Sequence, residues 1–505
     1  MFPRPFLRAL ALVLLLAATA PAAPTQTLAA QPLTARLDAL LDQPGLTDGF
    51  WGVLVVDAQT GRTVYTRNAA KRFMPASNTK LYTGAAVLDA LGPDARFETR
   101  LYASGPIGED GTLVGDLVVR GGGDPSLGSQ PDENVPVDKF ALLREWADSL
   151  RAGGIRRITG NVVGDDDVFD DQALGEGWTW DDETFYYSAQ ISGLGFGDNC
   201  LDIALAPTAL GQPTRLTAPD AAEGFAEFVN ATMTTASGSG INEGYVRQPG
   251  TNRFVLTSRV ASNTRDRECV AVHNPTRYAA HALRWALHGA GIAVDGRAVD
   301  HDDLAATPLD YDRMTLLHVH TSPPLRTLVR WMEKESLNHY AEYFLKQVGR
   351  QDSGPAPTET APLGSAGRGL GVMEEGLLRR ALPDVGRIGL VDGSGLSRMN
   401  AVTPAQTVAL LRYMQRHPDP GVREAFREAL PVGGVDGTLR NRMGGMRGRV
   451  QAKTGTLTGA SALSGYLTTA SGRTLVFSFM ANQYSAPASA TRRAMDAALA
   501  RLADL

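Results

Sequence analysis

The chain has 505 residues, of which 43% are hydrophobic and 20% are charged, and its formal net charge is −5. This length exceeds what one hydrophobic core usually supports and predicts several domains of ordinary globular composition. The charge is nearly balanced, with no basic stripe, which argues against a nucleic-acid partner.

Residues 1–30 have the pattern of a secretory signal peptide. Arg4 and Arg8 precede an apolar run at 9–18, and small residues follow through Ala23. The run is shorter than the roughly 20 residues of a spanning helix, although an uncleaved anchor is the alternative. We predict that 1–30 is removed, that the mature chain has no membrane-spanning segment, and that the protein is exported to the periplasm or the exterior of the cell envelope.

The first predicted elements of the mature chain are a short helix at 33–41 and a β-hairpin at 52–65. The stretch Pro75–Leu81 follows and starts a predicted helix that ends near Leu91, where Gly-Pro is a stop signal. Proline is common in a first helical turn, because the N–H group that it lacks has no partner there.

Ser77 and Lys80 are the first candidate catalytic pair. Residues three apart share one face of a helix, so the hydroxyl and the amine can touch. A serine hydroxyl needs a base to become a nucleophile, and lysine is a base only when burial or a second cation lowers its pKa to about 7–8. A Ser-x-x-Lys spacing is common by chance, so the prediction needs partners.

Residues 98–302 read as a mostly β region, with short alternating strands between Gly, Pro and Asp clusters. Helical patches interrupt it at 140–152 and 279–290. A smaller unit is predicted inside it at about 200–275.

The chain contains two cysteines, Cys200 and Cys269. In an exported protein they can form a disulfide, and two separate buried thiols are the alternative. No cysteine or histidine pattern has metal-ligand spacing, so no metal and no cofactor is predicted. Trp178 and Trp180 are predicted to pack in the core.

The remaining predicted elements are helical segments at 325–348, 404–416 and 422–430, a strand at 448–452, a hairpin at 460–481 and a helix at 488–502. Ser336-x-Asn338 interrupts the first helical segment, where Ser and Asn suit a helix start. Such a tripeptide is frequent by chance and is weak evidence alone.

Lys453-Thr454-Gly455 is a stronger signal, because the chain contains few lysines. It follows the apolar strand at 448–452. A cation, a hydroxyl and a glycine at a strand edge provide positive charge, a hydrogen-bond donor and close backbone approach.

The motifs Ser-x-x-Lys, Ser-x-Asn and Lys-Thr-Gly occur in the order typical of penicillin-binding proteins and β-lactamases. The long separation of Lys80 from Ser336 leaves room for inserted domains. Together with the segments at 120–125, 177–182, 392–397 and 436–440, the chain resembles the D-alanyl-D-alanine carboxypeptidase/endopeptidase of the class C low-molecular-mass penicillin-binding proteins.

This resemblance implies an α/β (α+β) fold with a transpeptidase/β-lactamase-like catalytic domain, in which helices flank an antiparallel sheet. Residues 31–97 and 303–505 are expected to form that domain. The mostly β insertion at 98–302 is expected to contain two nested modules.

The resemblance also implies a serine-type D-Ala-D-Ala carboxypeptidase or endopeptidase acting through an acyl-serine intermediate. Ser77 is expected to attack the peptide bond, with Lys80 as base. Ser336 is expected to relay a proton to the leaving amine, and Asn338 to position Lys80 and the substrate amide. The implied partners are peptidoglycan stem peptides as substrates and β-lactams as covalent inhibitors.

The strand motif is expected to bind the substrate's tail. Lys453 and Thr454 are expected to hold the terminal carboxylate, and Gly455 to let the strand approach. The backbone N–H groups of Ser77 and Thr456 are expected to form the oxyanion hole.

A side-chain pocket is the last implied feature. Asp182, Tyr187, Leu396 and Arg398 are expected to bind a diaminopimelyl side chain, which ends in an amine and a carboxylate. An ion pair between Asp182 and Arg398 is the alternative. Leu457 stands where family members often carry methionine, which puts that wall of the pocket in question.

Two other functions compete with this prediction. A serine β-lactamase would share the motifs but lacks the long insertion. A non-catalytic cell-wall scaffold would use the insertion to bind glycan or protein, but it would not need every residue of the three motifs.

Overall fold

The structure is a computed structural model and describes residues 32–129, 138–304, 309–350, 363–383 and 386–505. The predicted signal peptide at 1–30 lies outside the described residues. Within the described ranges, no helix is both long enough and apolar enough to cross a bilayer.

The α-helices of the described residues are α1 (Leu33–Leu41), α2 (Lys80–Leu91), α3 (Ala141–Ala152), α4 (Pro275–Gly289), α5 (Leu325–Glu335), α6 (Asn338–Val348), α7 (Ala366–Met373), α8 (Arg379–Ala381), α9 (Pro404–Met414), α10 (Pro420–Ala429) and α11 (Ala488–Ala503). The strands are β1 (Phe50–Asp57), β2 (Thr63–Arg67), β3 (Glu98–Ala103), β4 (Thr112–Leu113), β5 (Leu117–Arg120), β6 (Arg157–Ile158), β7 (Val162–Asp165), β8 (Cys200–Ala206), β9 (Arg215–Thr217), β10 (Glu227–Asn230), β11 (Met233–Thr235), β12 (Ile241–Asn242), β13 (Tyr245–Arg247), β14 (Arg253–Leu256), β15 (Arg259–Ala261), β16 (Asp266–Ala271), β17 (Ala293–Val294), β18 (Ala298–Asp300), β19 (Thr315–Thr321), β20 (Val450–Leu457), β21 (Ala460–Thr468) and β22 (Thr474–Asn482).

A five-stranded antiparallel sheet in the order β2-β1-β22-β21-β20 joins the two ends of the chain. Side chains alternate between its faces, so Val476 and Met480 of β22 face one core while Phe477 and Phe479 face the other. Helices α2, α5, α6, α9 and α10 cover the first face, and α1 and α11 cover the second. This sheet between helices confirms the predicted α/β (α+β) class.

The residues between α2 and α5 form a second body around their own core. A mixed sheet in the order β18-β7-β5-β3-β19 carries α4 on one face, and Trp146 of α3 is buried in the same core. The strands between Cys200 and Ala271 form three small sheets. Strand β19 returns along β3, with Thr321 opposite Glu98.

Cys200 and Cys269 form a disulfide, which decides between the two alternatives left open by the sequence. They lie on β8 and β16, which pair antiparallel, and their Cα atoms are 5.4 Å apart. The disulfide therefore joins two neighbouring strands of the second body.

The three motifs come together where the first body faces the second. Ser77 lies on the turn just before α2, Ser336 ends α5 with a left-handed φ of 63°, and Asn338 begins α6. The predicted strand ending at Ala452 is too short, because β20 continues to Leu457 and contains the whole Lys-Thr-Gly motif. A cleft therefore forms between the edge strand β20 and the α5–α6 turn.

Candidate active site

Ser77 lies on a single 3-10 turn, Ala76–Thr79, that leads directly into α2. Ala76 has φ 48°, a left-handed conformation that is rare in residues with a side chain and is typical of functional turns. Asn78 fixes the turn against the sheet, because its Nδ2 donates to Oγ of Ser464 at 2.6 Å. The turn presents the half-buried Ser77 to the cleft.

Two glycines allow the backbone to come close to this turn. A Cβ built on Gly455 would lie 2.7 Å from the carbonyl oxygen of Pro75 and 3.0 Å from the backbone nitrogen of Ser77. A Cβ on Gly395 would lie 1.9 Å from the carbonyl oxygen of Ala76. At either position, a larger residue would therefore displace the turn that carries Ser77.

The amine of Lys80 contacts three oxygens. Its Nζ lies 3.2 Å from Oγ of Ser77, 2.6 Å from Oδ1 of Asn338 and 2.7 Å from the carbonyl oxygen of Ser394. The last two oxygens can only accept hydrogen bonds, whereas the hydroxyl of Ser77 can also donate. A neutral amine has two N–H groups for the two acceptors and one lone pair for the hydroxyl, so the contacts suit a base.

Burial supports the neutral form of Lys80. The side chain is fully buried, and burial together with the positive charge of Lys453 lowers its pKa to about 7, against the opposing charges of nearby carboxylates. The amide of Asn338 is oriented by its Nδ2, which donates to the carbonyl oxygen of Tyr187 at 2.7 Å and leaves Oδ1 for Lys80.

Lys453 is also fully buried, and its Nζ donates to Oγ of Ser336 at 2.9 Å. Burial lowers its pKa, while the negative charges of Glu333 and Glu335 oppose that shift. The neighbouring Thr454 donates its hydroxyl to Oγ1 of Thr438 at 2.8 Å. Each lysine thus contacts one of the two serines, Lys80 at Ser77 and Lys453 at Ser336.

Sequence reasoning missed the acidic residues that hold the Ser394 carbonyl in place. Glu342 of α6 is buried and accepts from the backbone nitrogens of Gly393 at 3.0 Å and Ser394 at 2.8 Å. Asp392 accepts from the nitrogen of Gly395 at 2.8 Å. A carboxylate within the apolar stretch of α6 was the sequence signal that could have identified Glu342.

The cleft has a volume of about 790 Å³. Of the predicted site residues, those that line it are Ser77, Ser336, Asn338, Thr454, Gly455, Thr456, Asp182, Tyr187, Leu396 and Arg398. Lys80 and Lys453 are buried behind the two serines. Leu457 also lines the cleft.

Asp182 and Arg398 line the same cleft without pairing with each other. Asp182 accepts from Oγ1 of Thr179 at 2.6 Å and from the hydroxyl of Tyr187 at 2.9 Å. Arg398 donates to the carbonyl oxygen of Thr458 at 2.9 Å. The alternative of an ion pair between them is therefore wrong for this structure.

The two tryptophans of this region differ in environment. Trp178 is partly buried and its Nε1 donates to Asp392 at 3.1 Å. Trp180 is 82% exposed, so the prediction that it packs in the core is wrong. It belongs to a 3-10 turn that also carries Asp182 and therefore stands beside the cleft.

Within the described ranges, Asp166, Asp300 and Asp302 of the second body form a group that could in principle hold a metal ion. Their carboxylate oxygens lie within 4.8 Å of one another. Side chains of the protein already donate to two of them. Thr276 donates to Asp166 at 2.6 Å and Asn274 donates to Asp300 at 2.7 Å. These contacts give the cluster a structural explanation without a cation.

Comparison with known proteins gives a consistent result. The model of the D-Ala-D-Ala carboxypeptidase 3 (S13) family matches residues 33–502. A D-alanyl-D-alanine carboxypeptidase of Actinomadura sp. (strain R39) is 36% identical over 482 residues, which cover 93% of this chain and 84% of the relative. These similarities confirm the resemblance inferred from the motifs.

Solved structures agree with this result. The crystal structure of penicillin binding protein 4 (dacB) from Haemophilus influenzae has a TM-score of 0.77 and 26% identity, covering 93% of this chain and 99% of that chain. A structure of the same protein complexed with a novel β-lactam has a TM-score of 0.71 at 24% identity, with the same coverage. The similarity extends over both bodies of the chain.

Proposed function

Because the chain belongs to the D-Ala-D-Ala carboxypeptidase 3 (S13) family, we propose that it hydrolyses the D-Ala–D-Xaa bond of peptidoglycan stem peptides. The observation that supports this most directly is the contact of the buried Lys80 amine with the Ser77 hydroxyl at 3.2 Å. A base with a pKa near 7 beside a hydroxyl is the arrangement that nucleophilic acyl transfer requires.

Acylation begins when neutral Lys80 accepts the proton of Ser77 as Oγ bonds to the carbonyl carbon of the substrate. The carbonyl oxygen becomes an oxyanion, which the backbone N–H groups of Ser77 and Thr456 stabilise by about 3 kcal/mol each. The C–N bond then breaks, and the proton that Lys80 took from Ser77 passes through Ser336 to the leaving amine, so that Lys80 is neutral again. Water hydrolyses the resulting ester and restores Ser77, with Lys80 again as base.

Substrate recognition depends on charge at two places. Protonated Lys453, with Thr454, binds the terminal carboxylate of the substrate or of a β-lactam. Asp182 and Arg398, with Tyr187 and Leu396, bind the amine and the carboxylate that end a diaminopimelyl side chain. Both residues line the cleft and form separate hydrogen bonds instead of an ion pair with each other, which supports this role.

We also place the protein outside the cytoplasm, on the basis of the predicted signal peptide at 1–30 and the disulfide. Peptidoglycan is found there. Cross-linked stem peptides fit the same chemistry as terminal D-Ala-D-Ala, because in both cases the bond follows a D-alanine. Endopeptidase activity is therefore part of the proposal.

The test is hydrolysis of purified muropeptides by wild-type protein and by Ser77→Ala, with Ser149→Ala on the exposed face of α3 as matched control. Wild type and the control should release D-alanine and be labelled by a fluorescent penicillin, and Ser77→Ala should do neither. Retained D-alanine release in Ser77→Ala would refute the proposal.

The same preparation separates the competing functions. Rapid and sustained nitrocefin turnover would indicate a β-lactamase, whereas stoichiometric trapping of the drug indicates a penicillin-binding enzyme. A folded wild-type protein without either activity would indicate a scaffold. Monomeric and cross-linked muropeptides assayed side by side show which bond is preferred.

A further inference from the structure

Glu333 is a fully buried carboxylate that the mechanism above does not use. It lies in the last turn of α5, three residues before Ser336, which ends the helix. Neither of its oxygens has a hydrogen-bond partner among the described residues. A carboxylate without partners is costly to bury unless nearby charges stabilise it.

The structure keeps a space for this carboxylate beside Lys80. Gly84 follows Lys80 by four residues and therefore lies on the same face of α2. A Cβ built on Gly84 would lie 3.1 Å from Oε1 of Glu333. Because Gly84 has no side chain, the carboxylate of Glu333 can lie against the backbone of α2 at this point.

The charges that face Glu333 are the two active-site lysines. Lys453 of β20 and Lys80 of α2 both lower the pKa of Glu333, with Lys453 the stronger of the two, against a larger effect of burial that raises it. In turn, the charge of Glu333 has the largest effect among those that raise the pKa of Lys453, against the lowering by burial.

The other acidic groups with leading effects differ between the two lysines. Glu335, on the same helix as Glu333, raises the pKa of Lys453, while Asp392 and Glu342 raise the pKa of Lys80. Glu333 has a leading effect on both lysines.

We infer that Glu333 is a positioning residue of the active site, whose ionised carboxylate keeps the buried positive charge on Lys453. This inference rests on the proposed function. Without the negative charge of Glu333, both buried amines would lose their protons at a lower pH. The electrostatic interaction of Glu333 is stronger with Lys453 than with Lys80, so its charge favours Lys453 as the protonated amine.

The test is the pH dependence of acylation by a chromogenic β-lactam, measured for wild type, Glu333→Gln, Glu333→Asp and the exposed control Glu424→Gln of α10. Loss of a negative charge stabilises the neutral form of both lysines. Both limbs of the bell-shaped profile should therefore move to lower pH in Glu333→Gln, by about one unit. On the alkaline side, this shift lowers the second-order acylation constant about tenfold.

Glu333→Asp keeps the charge but withdraws it by one methylene, so its profile should lie between those of wild type and Glu333→Gln. It also serves as the test if Glu333→Gln does not fold. Glu424→Gln should keep the wild-type profile.

A folded Glu333→Gln, or in its absence Glu333→Asp, with unchanged limbs would overturn the inference, because a neutral or merely structural Glu333 affects rate or stability without moving either limb. A wild-type protein that is not acylated at any pH would instead refute the proposed function.

Discussion

The amide oxygen of Asn338 lies 2.6 Å from Nζ of Lys80, closer than the Ser77 hydroxyl at 3.2 Å. Asn338 and the Ser394 carbonyl together occupy both N–H groups of a neutral lysine. This leaves the lone pair for Ser77, which is the arrangement expected of a base that acts on the serine.

Acylation should follow the protonation of Lys80. Its pKa is lowered to about 7 by burial and by Lys453, so the amine is protonated and inactive well below that pH. The acylation constant should rise as the pH approaches about 7 and fall again when Lys453 loses its proton. Stopped-flow measurement with a chromogenic β-lactam from pH 5 to 10 checks this, and a rate independent of pH would contradict it.

Lys80→Arg should lose at least about 100-fold in acylation rate, although the positive charge is kept, because arginine stays protonated and cannot accept the proton of Ser77. The exposed Lys71→Arg is the matched control and should keep wild-type rates. Near-normal acylation of Lys80→Arg would mean that another group is the base.

Gly455→Ala should disturb the turn Ala76–Thr79, which carries Ser77. The added Cβ would lie 2.7 Å from the Pro75 carbonyl oxygen, so the edge strand or the turn must move, and even a small displacement costs about 100-fold in rate. In contrast, Gly371→Ala on α7 meets no atom within 4 Å. That control should keep full activity, with a melting temperature equal to or above that of wild type. Equal acylation rates in both variants would argue against the close approach.

The side-chain pocket can be tested by substrate discrimination. Asp182→Asn and Arg398→Ala should each raise KM about tenfold for a stem peptide with a diaminopimelyl residue, because each loses a charged hydrogen bond. Acylation by a small penicillin without that side chain should be nearly unchanged. Parallel loss toward both compounds would indicate general damage to the cleft.

Removal of the disulfide should affect stability more than chemistry. Cys200→Ser combined with Cys269→Ser should lower the free energy of unfolding by about 2–4 kcal/mol, because the unfolded chain is no longer cross-linked. Thermal unfolding measures the loss, and reduced wild-type protein should show the same shift, since it has no other cysteine. Penicillin labelling at room temperature should persist in both.

The elements that carry the motifs were predictable from sequence because their signals are local. Helix spacing places Lys80 one turn from Ser77, and Gly455 marks close backbone approach whatever the rest of the chain does. The helix at Leu33–Leu41 is likewise found at its predicted bounds. Alternating apolar residues predicted the terminal hairpin, which the structure forms as β21 and β22.

The supporting residues were not predictable, because their importance depends on burial and on contacts between distant parts of the chain. Glu342 acts through a backbone turn at Gly393, and Glu333 through a space left by Gly84. Trp180 is a large aromatic residue of the kind expected in a core, but it lies on an exposed turn. For each of these, the environment rather than the residue type determines the role.

The pairing of β1 with β22 has a consequence for how the enzyme matures. Val53, near the beginning of the described chain, lies opposite Phe479, and the serine at 77 meets a strand that contains Lys453. Loop closure over so many residues makes folding slow. We therefore expect Ser77 to acquire its complete surroundings only after the C-terminal hairpin has docked on β1, and a fragment truncated before β20 should not be acylated by a β-lactam.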